Sequence, residues 1–413
     1  MNRKLSPAWT LAILTGLNLF NYVDRYVLSA VVTPLQAELH INDNQAGTIN
    51  SAFMIGYFVT SPFFGYLGDR FSRKWLIALG IFVWSLGTVL TGFASTFALL
   101  LAFRVLVGLG EASYATLSPG LISDSFVPQK RNNAFTIFYV AIPVGAALGT
   151  FLGGEIANHY SWRHAFIWTG APGLLLALVL LPFREPARGE TEGKTAQGAA
   201  HPSVIEVLKL FLIPKYLLVV LGYTAYTFAL GAFGFWGPSF LLRVRHVSLE
   251  NSGIFFGAIL AIAGLVGTFA GGFASTAWHK RNRAAYPLTL ALSVLLAVPF
   301  VVLTFVVHDT SLSIVCLAIS MVLLFICTGP VNTIIIEAVP VNLRSSAMAL
   351  SIFMIHLFGD MFSSKIVGQL SDQWHSLQKA VLILPVMLLV CGLLWLALVA
   401  RTLKEDKPKP SSV

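Results

Sequence analysis

Asp24 and Arg25 stand side by side in the middle of the first long apolar stretch, Trp9 to Leu35. A charge at bilayer depth costs about 2.5–3.5 kcal/mol on insertion scales, so such residues face a bundle interior or a watery cavity. Arg104 and Glu111 lie in another apolar stretch, on one helix face two turns apart. At 1.5 Å per residue, Asp24 lies roughly 18 Å, Arg104 about 10 Å and Glu111 about 20 Å from the outer ends of their spans. The chemistry this suits is proton exchange. Burial raises a carboxylate's pKa and a nearby guanidinium lowers it again, so a change in solvation or separation turns a proton holder into a proton releaser. Asp24 is the first candidate carrier and Glu111 the second; the alternative for both is a static ion pair that fixes helix register. Arg104 either tunes the carboxylates or binds an anionic head group. Arg25 is either a further head-group ligand or a residue turned to a helix interface. His356 and Asp360, four apart on one helix face, form either a proton relay or a hydrogen-bonded packing pair.

The elements that must position these groups are membrane spans. The chain has 413 residues, 56% hydrophobic and 11% charged, against about 25% charged in soluble domains. Apolar runs of about 20 residues, the length that crosses a bilayer, predict roughly twelve spans: 9–36, 46–68, 75–94, 97–124, 133–158, 164–183, 216–241, 251–277, 285–307, 311–338, 346–371 and 378–401. With the N-terminus inside, 20 Lys and Arg fall on the cytoplasmic side, 4 on the other (Arg163, Arg243, Arg245, Lys379), and Arg25, Arg104 and Lys365 within spans. That bias predicts a multi-pass protein of the cell (inner, plasma) membrane with both termini cytoplasmic. The net charge of +9 then reflects topology and attraction to anionic lipid, with no nucleic-acid partner. Met1 to Pro7 is short and basic, and the apolar stretch behind it outruns a signal-peptide core, so the first helix is expected to stay as an anchor.

Domain boundaries follow from composition. A six-helix bundle over 1–183 is followed by a Gly-, Glu-, Ala- and Thr-rich cytoplasmic linker over 184–202. A second bundle over 203–401 opens on a short amphipathic helix, Ser203 to Leu212, and residues 402–413 form a cytoplasmic tail. Cys316, Cys327 and Cys391 are too scattered for a disulfide framework or metal site and are expected to pack. There is no phosphate loop and no nucleophile–base arrangement, so the expectation is a non-enzyme without a metal or organic cofactor.

The halves repeat. "DSFVPQKRNNA" (Asp124 to Ala134) matches "EAVPVNLRSSA" (Glu337 to Ala347), with Arg131 and Arg344 in register. Six spans plus six in the same orientation is the arrangement of major facilitator transporters. "GYLGDRFSRK" (Gly65 to Lys74) resembles the inner-loop motif of that superfamily, and "IPVGAALGTFLGG" (Ile142 to Gly154) its span-five packing motif, where the helix meets the other half. "NYVDRYVLSAVV" (Asn21 to Val32) and "RVLVGLGEASYATLSPGLISD" (Arg104 to Asp124), with "YLGDRFSRK", look like the spinster branch.

The resemblance implies an all-α major facilitator fold in two six-helix halves, usually monomeric, with spans one, four, seven and ten lining a central cavity. It implies alternating access, with Gly65, Asp69, Arg70, Arg73, Asp124 and Arg131 as an inner latch. It also implies proton-linked export of amphipathic lipids, lysophospholipids and sphingoid phosphates among them. Span seven then places Tyr223, Tyr226, Phe228 and Trp236 as candidate substrate contacts, or as packing rings, with Gly231, Gly234, Gly237 and Pro238 allowing a bend. The alternatives are a carrier of small organic anions or drugs, and a non-transporting sensor or scaffold, against which the short tails argue.

Overall fold

Backbone amides in hydrocarbon have no water to bond, so apolar runs close their hydrogen bonds within helices. The computed structural model describes residues 3–4, 6–179, 183–186, 204–340 and 343–405. Helix α1 (Pro7–Leu39) starts where Ser6 accepts the Trp9 N–H and Pro7 fixes the first turn, and it ends at His40 in the left-handed region (φ 51°). Helix α2 (Asp43–Arg70) opens with a capping box between Asn42 and Gln45. Four more follow: α3 (Arg73–Thr91), α4 (Phe97–Ser125), α5 (Pro128–His159) and α6 (Trp162–Val179).

The expected amphipathic segment is helix α7 (Val204–Leu208) and a tight turn, Lys209–Leu212, with Ile205, Leu208 and Leu212 exposed and Leu210 buried. The second set comprises α8 (Pro214–Arg243), α9 (Leu249–His279), α10 (Ala285–Val306), α11 (Thr310–Phe325), α12 (Thr328–Glu337), α13 (Arg344–Met354), α14 (Met361–Trp374), α15 (Leu377–Ala380) and α16 (Ile383–Glu405). The pairs α11–α12, α13–α14 and α15–α16 each continue as one membrane-length stretch, so the second set also counts six. Among the described residues, nine stretches meet both the length and the apolarity of a span. The other three are α1, α2 and α6; α1 carries Asn18, Asn21, Asp24 and Arg25 within its length.

The chain divides by contact into two units: Met1–Ala199 with Phe235–Ala258, and Ala200–Gly234 with Ile259–Val413. The division falls inside α8 and α9. In the first unit α5 packs along α1, and α4 packs between α2 and α3. Small residues allow these approaches: a Cβ on Gly108 would lie 2.0 Å from the Phe53 carbonyl oxygen, and one on Gly56 2.3 Å from that of Val105. In the second unit α10 packs on α11 and α16, and the Tyr216 hydroxyl donates to the Ala347 carbonyl (2.8 Å).

Two expectations sharpen here. Gly145, Gly149 and Gly153 face Leu19 to Ala30 of α1, so the glycine face of α5 serves its own bundle. The same motif meets α9 of the second half through Ala147, Thr150 and Gly154, against Gly253 and Gly257. The start of the expected linker is also placed. Phe183–Arg184 pairs in parallel with Arg3–Lys4; residues 187–203 lie outside the described residues.

Candidate functional site: a buried charge cluster and its supports

Helices α1 and α4 bring four charged side chains together inside the first unit. Asp24 is 1% exposed, and Arg104 and Glu111 are 0% exposed, so all three have left solvent completely. The Arg25 guanidinium donates to one Glu111 carboxylate oxygen from Nη2 (2.6 Å) and Nε (3.3 Å). Three rings surround that guanidinium, with centroids at 5.0 Å (Tyr22), 4.9 Å (Phe53) and 5.6 Å (Tyr57). The Arg104 guanidinium lies 5.2 Å from the same Phe53 ring. Its three nitrogens, Asp24 Oδ1 and Glu111 Oε1 have no hydrogen-bond partner among the described atoms. The charges of Glu111 and Arg104 act on Asp24, and the Thr169 and Trp84 side chains reach it.

This arrangement settles where Arg25 points: it turns inward to Glu111 across the α1–α4 contact. Arg104, expected to tune the carboxylates or to bind a head group, sits against a phenyl ring with the charges of Glu111 and Asp24 acting on it. Helix α1 is fixed beside this cluster by Asn18, which donates to the Phe138 carbonyl (3.0 Å), and by the Tyr114 hydroxyl, which donates to the Leu14 carbonyl.

At the α2–α3 end, Arg73 joins three segments. Its Nη1 pairs with Asp124 at 2.6 Å and its Nε with Glu185 at 2.8 Å. Glu185 also accepts from the Ser72 hydroxyl (2.7 Å) and from the backbone N–H groups of Arg73 (3.3 Å) and Lys74 (3.4 Å). Ser72, at the N-cap, makes no cap bond of its own. A carboxylate from a distant segment therefore caps α3, where it also meets the positive end of the helix dipole. Burial pushes the Glu185 pKa up, but the bonds from Ser72 and Arg73 and the Arg73 charge hold it below the ordinary 4.5. Arg70 stacks on Tyr66 of its own helix, 3.5 Å from the centroid. The close approach here belongs to Gly68, against the Leu117 side chain; the nearest atom to a Cβ on Gly65 is 3.9 Å away. The side chains of Asp69 and Arg131 lie outside the described residues.

At the opposite end, Arg243 grips Asp43 through both carboxylate oxygens (2.7 and 3.0 Å), and Gln36 adds a third bond (2.7 Å). Glu38 accepts from Trp162 (2.6 Å) and Arg163 (2.8 Å), and Arg163 also donates to the carbonyls of Gly92 (3.1 Å) and Ala94 (2.6 Å). These bonds tie the ends of α1, α3 and α6.

In the second unit, His356 and Asp360 meet at 3.1 Å inside a π-helical turn, Ile355–Asp360, that joins α13 to α14. The Thr227 hydroxyl lies 3.2 Å from the Ile355 carbonyl and 3.0 Å from the Tyr223 and Thr224 carbonyls of its own helix, and shares its one proton among them. Both side chains are part-exposed. Of the rings expected to contact substrate, Tyr226 is 4% and Phe228 6% exposed, and the Tyr226 hydroxyl is committed to the Leu324 carbonyl (2.8 Å). In the first unit Trp236 is 0% exposed, edge-to-face with Phe235. These three are buried in this structure, and Tyr223 is half-buried.

Sequence reasoning missed Phe53, Glu185, Glu38 and the Asp43–Arg243 pair. Phe53 had no charge to draw attention, and Glu185 acts on residues 112 positions away in sequence.

The chain matches the family model of the Major Facilitator Superfamily over residues 14–363. It is 36% identical over 381 residues to Protein spinster homolog 1 of Xenopus tropicalis, covering 87% of this chain and 72% of that one. It is 33% identical over 439 residues to the Sphingosine-1-phosphate transporter SPNS2 of Danio rerio, covering 98% and 86%. A crystal structure of a bacterial homolog of the human lysosomal transporter Spinster, inward-facing and unoccupied, superposes with a TM-score of 0.89 at 23% identity, covering 99% of this chain and 100% of that one. A fold of two six-helix sets, charges buried inside a membrane bundle and this level of identity lead to one assignment: the chain belongs to the spinster branch of the Major Facilitator Superfamily, a multi-pass membrane transporter and not an enzyme.

Proposed function

We propose that this protein is a proton-coupled secondary transporter that works by alternating access and moves a single-chain lipid with an anionic head group, of the lysophospholipid or sphingoid phosphate class. The observation that carries the reading is the buried set Asp24, Arg25, Arg104 and Glu111, with polar atoms on three of them unpartnered. A membrane protein gains nothing in stability from such a set, because breaking even and leaving groups unpaired are its usual energetic outcomes. The naming of the Danio rerio relative as a sphingosine-1-phosphate transporter supports the substrate class.

Asp24 and Glu111 are the protonation sites. Glu111 gives up its proton when Arg25 is held against it and takes one when Arg25 withdraws. Asp24, beside Arg104, does the same under the control of that guanidinium, or of a head group that competes for it. Arg25 and Arg104 are the basic groups a phosphate would meet. Arg73 and Asp124, with Asp69 and Arg131, form the inner latch, and His356–Asp360 is either a secondary relay or a hydrogen-bonded packing pair. Protons are the coupling ion, with no other cofactor; the protein acts as a monomer in the cell membrane with both termini cytoplasmic.

The test is uptake into proteoliposomes under an imposed pH gradient, with labelled sphingoid phosphate, labelled lysophospholipid and a small organic acid. Gradient-driven movement of a lipid but not of the acid is the expected result. Uptake indifferent to the gradient sinks the proton coupling; movement of the acid alone sinks the substrate class.

A further inference from the structure

We propose that Phe53 is a positioning residue for the charge cluster: one phenyl ring holds both guanidiniums, so that Arg25 pairs with Glu111 while Arg104 is left to answer to Asp24. The inference rests on the proton-coupled reading for its transport consequence, and on geometry alone for the rest.

The ring lies 4.9 Å from the Arg25 guanidinium and 5.2 Å from that of Arg104. Phe53 is 1% exposed, and its backbone is clamped where Gly108 of α4 meets the Phe53 carbonyl. A phenyl face attracts a cation through its quadrupole but accepts no conventional hydrogen bond. It can hold a guanidinium in place without consuming its donors. That is the state of Arg104, whose three nitrogens have no bond among the described atoms although two carboxylates share its bundle interior.

Other neighbours do not supply this service. From α1 the titratable groups facing the cluster are Tyr22, Asp24 and Arg25; from α2, Tyr57; from α4, Arg104, Glu111 and Tyr114. Tyr139 of α5 acts on Tyr57, and α3 and α6 contribute the uncharged Trp84 and Thr169 beside Asp24. Tyr22 and Tyr57 lie by Arg25; for Arg104 the ring in reach among the described residues is Phe53. Removing it frees Arg104 to hydrogen-bond a carboxylate directly, which fixes that carboxylate in its charged form.

The test uses Phe53→Leu, which removes the ring at similar volume, and Phe53→Tyr, which keeps it; Phe53→Met replaces the leucine variant if that one does not accumulate. In proteoliposomes with labelled sphingoid phosphate, the pH midpoint of gradient-driven uptake in the ring-less variant should move to lower pH by about one unit, a tenfold change in proton affinity. Phe53→Tyr should follow the wild type. Independently, a double-mutant cycle on thermal unfolding pairs Phe53→Leu with Arg104→Gln and with Arg25→Gln. Non-additive shifts are expected for both pairs. Wild-type uptake that ignores pH removes the proton reading, and the cycle alone then decides the role of Phe53. Additive unfolding shifts, or an unmoved midpoint in a protein that does respond to pH, overturn the proposal.

Discussion

Arg25 and Glu111 form a charge-assisted bond at 2.6 Å with Glu111 fully buried. Truncating one partner of such a pair strands the other, at a cost of about 3–5 kcal/mol. Arg25→Gln and Glu111→Gln should each lower thermal stability by that order, whereas the double variant should lose much less than their sum; a melting series in detergent reads this directly. Among the described residues Asp24 Oδ1 has no hydrogen-bond partner, so the expectation for Asp24 is kinetic. Asp24→Asn should reach the membrane and exchange substrate, but lose gradient-driven uptake by more than about a hundredfold, the lower range for removing a positioned proton-transfer group. Wild-type uptake by this variant would remove Asp24 from the proton path.

Helix α3 shows what one element needs from another. Its first N–H groups are capped by Glu185 from beyond α6, because Ser72 spends its hydroxyl on the same carboxylate. Glu185→Ala should destabilise the α2–α3 end by about 1 kcal/mol, as loss of an N-cap does. The pH dependence has a definite sign. The folded pKa of Glu185 is held below 4.5, so its contribution is complete above that value and fades as pH falls through the lower folded value. The stability difference between wild type and Glu185→Ala, followed by unfolding midpoint against pH, should therefore be constant near neutrality and shrink only in acid. The α2–α4 crossing is as specific. Gly108→Ala places a methyl 2.0 Å from the Phe53 carbonyl oxygen. It should cost about 1–3 kcal/mol by overpacking and should also disturb the ring that both guanidiniums share.

For the whole molecule, the Lys and Arg bias predicts both termini on the cytoplasmic side; epitope tags at either end should resist protease added to intact cells and yield only after permeabilisation. Composition and hydropathy by themselves determined the span pattern and the two sets of six, because burial in lipid leaves a one-dimensional record of length and charge. They also marked Asp24, Arg104 and Glu111, since a charge in an apolar run is conspicuous without any partner. What pairs with what was decided only by tertiary structure. Arg25 could be read as ligand or interface, because a helix position does not say which neighbour its long side chain reaches; the α1–α4 crossing gives it Glu111. The glycines of α5 read as a small-residue face, but not as a face for α1. Tyr226 and Trp236 read as rings along a helix, and only packing showed them buried. Glu185 looked like linker and Phe53 like core, since a cap supplied from another segment and a phenyl ring shared by two cations exist only once the chain has folded.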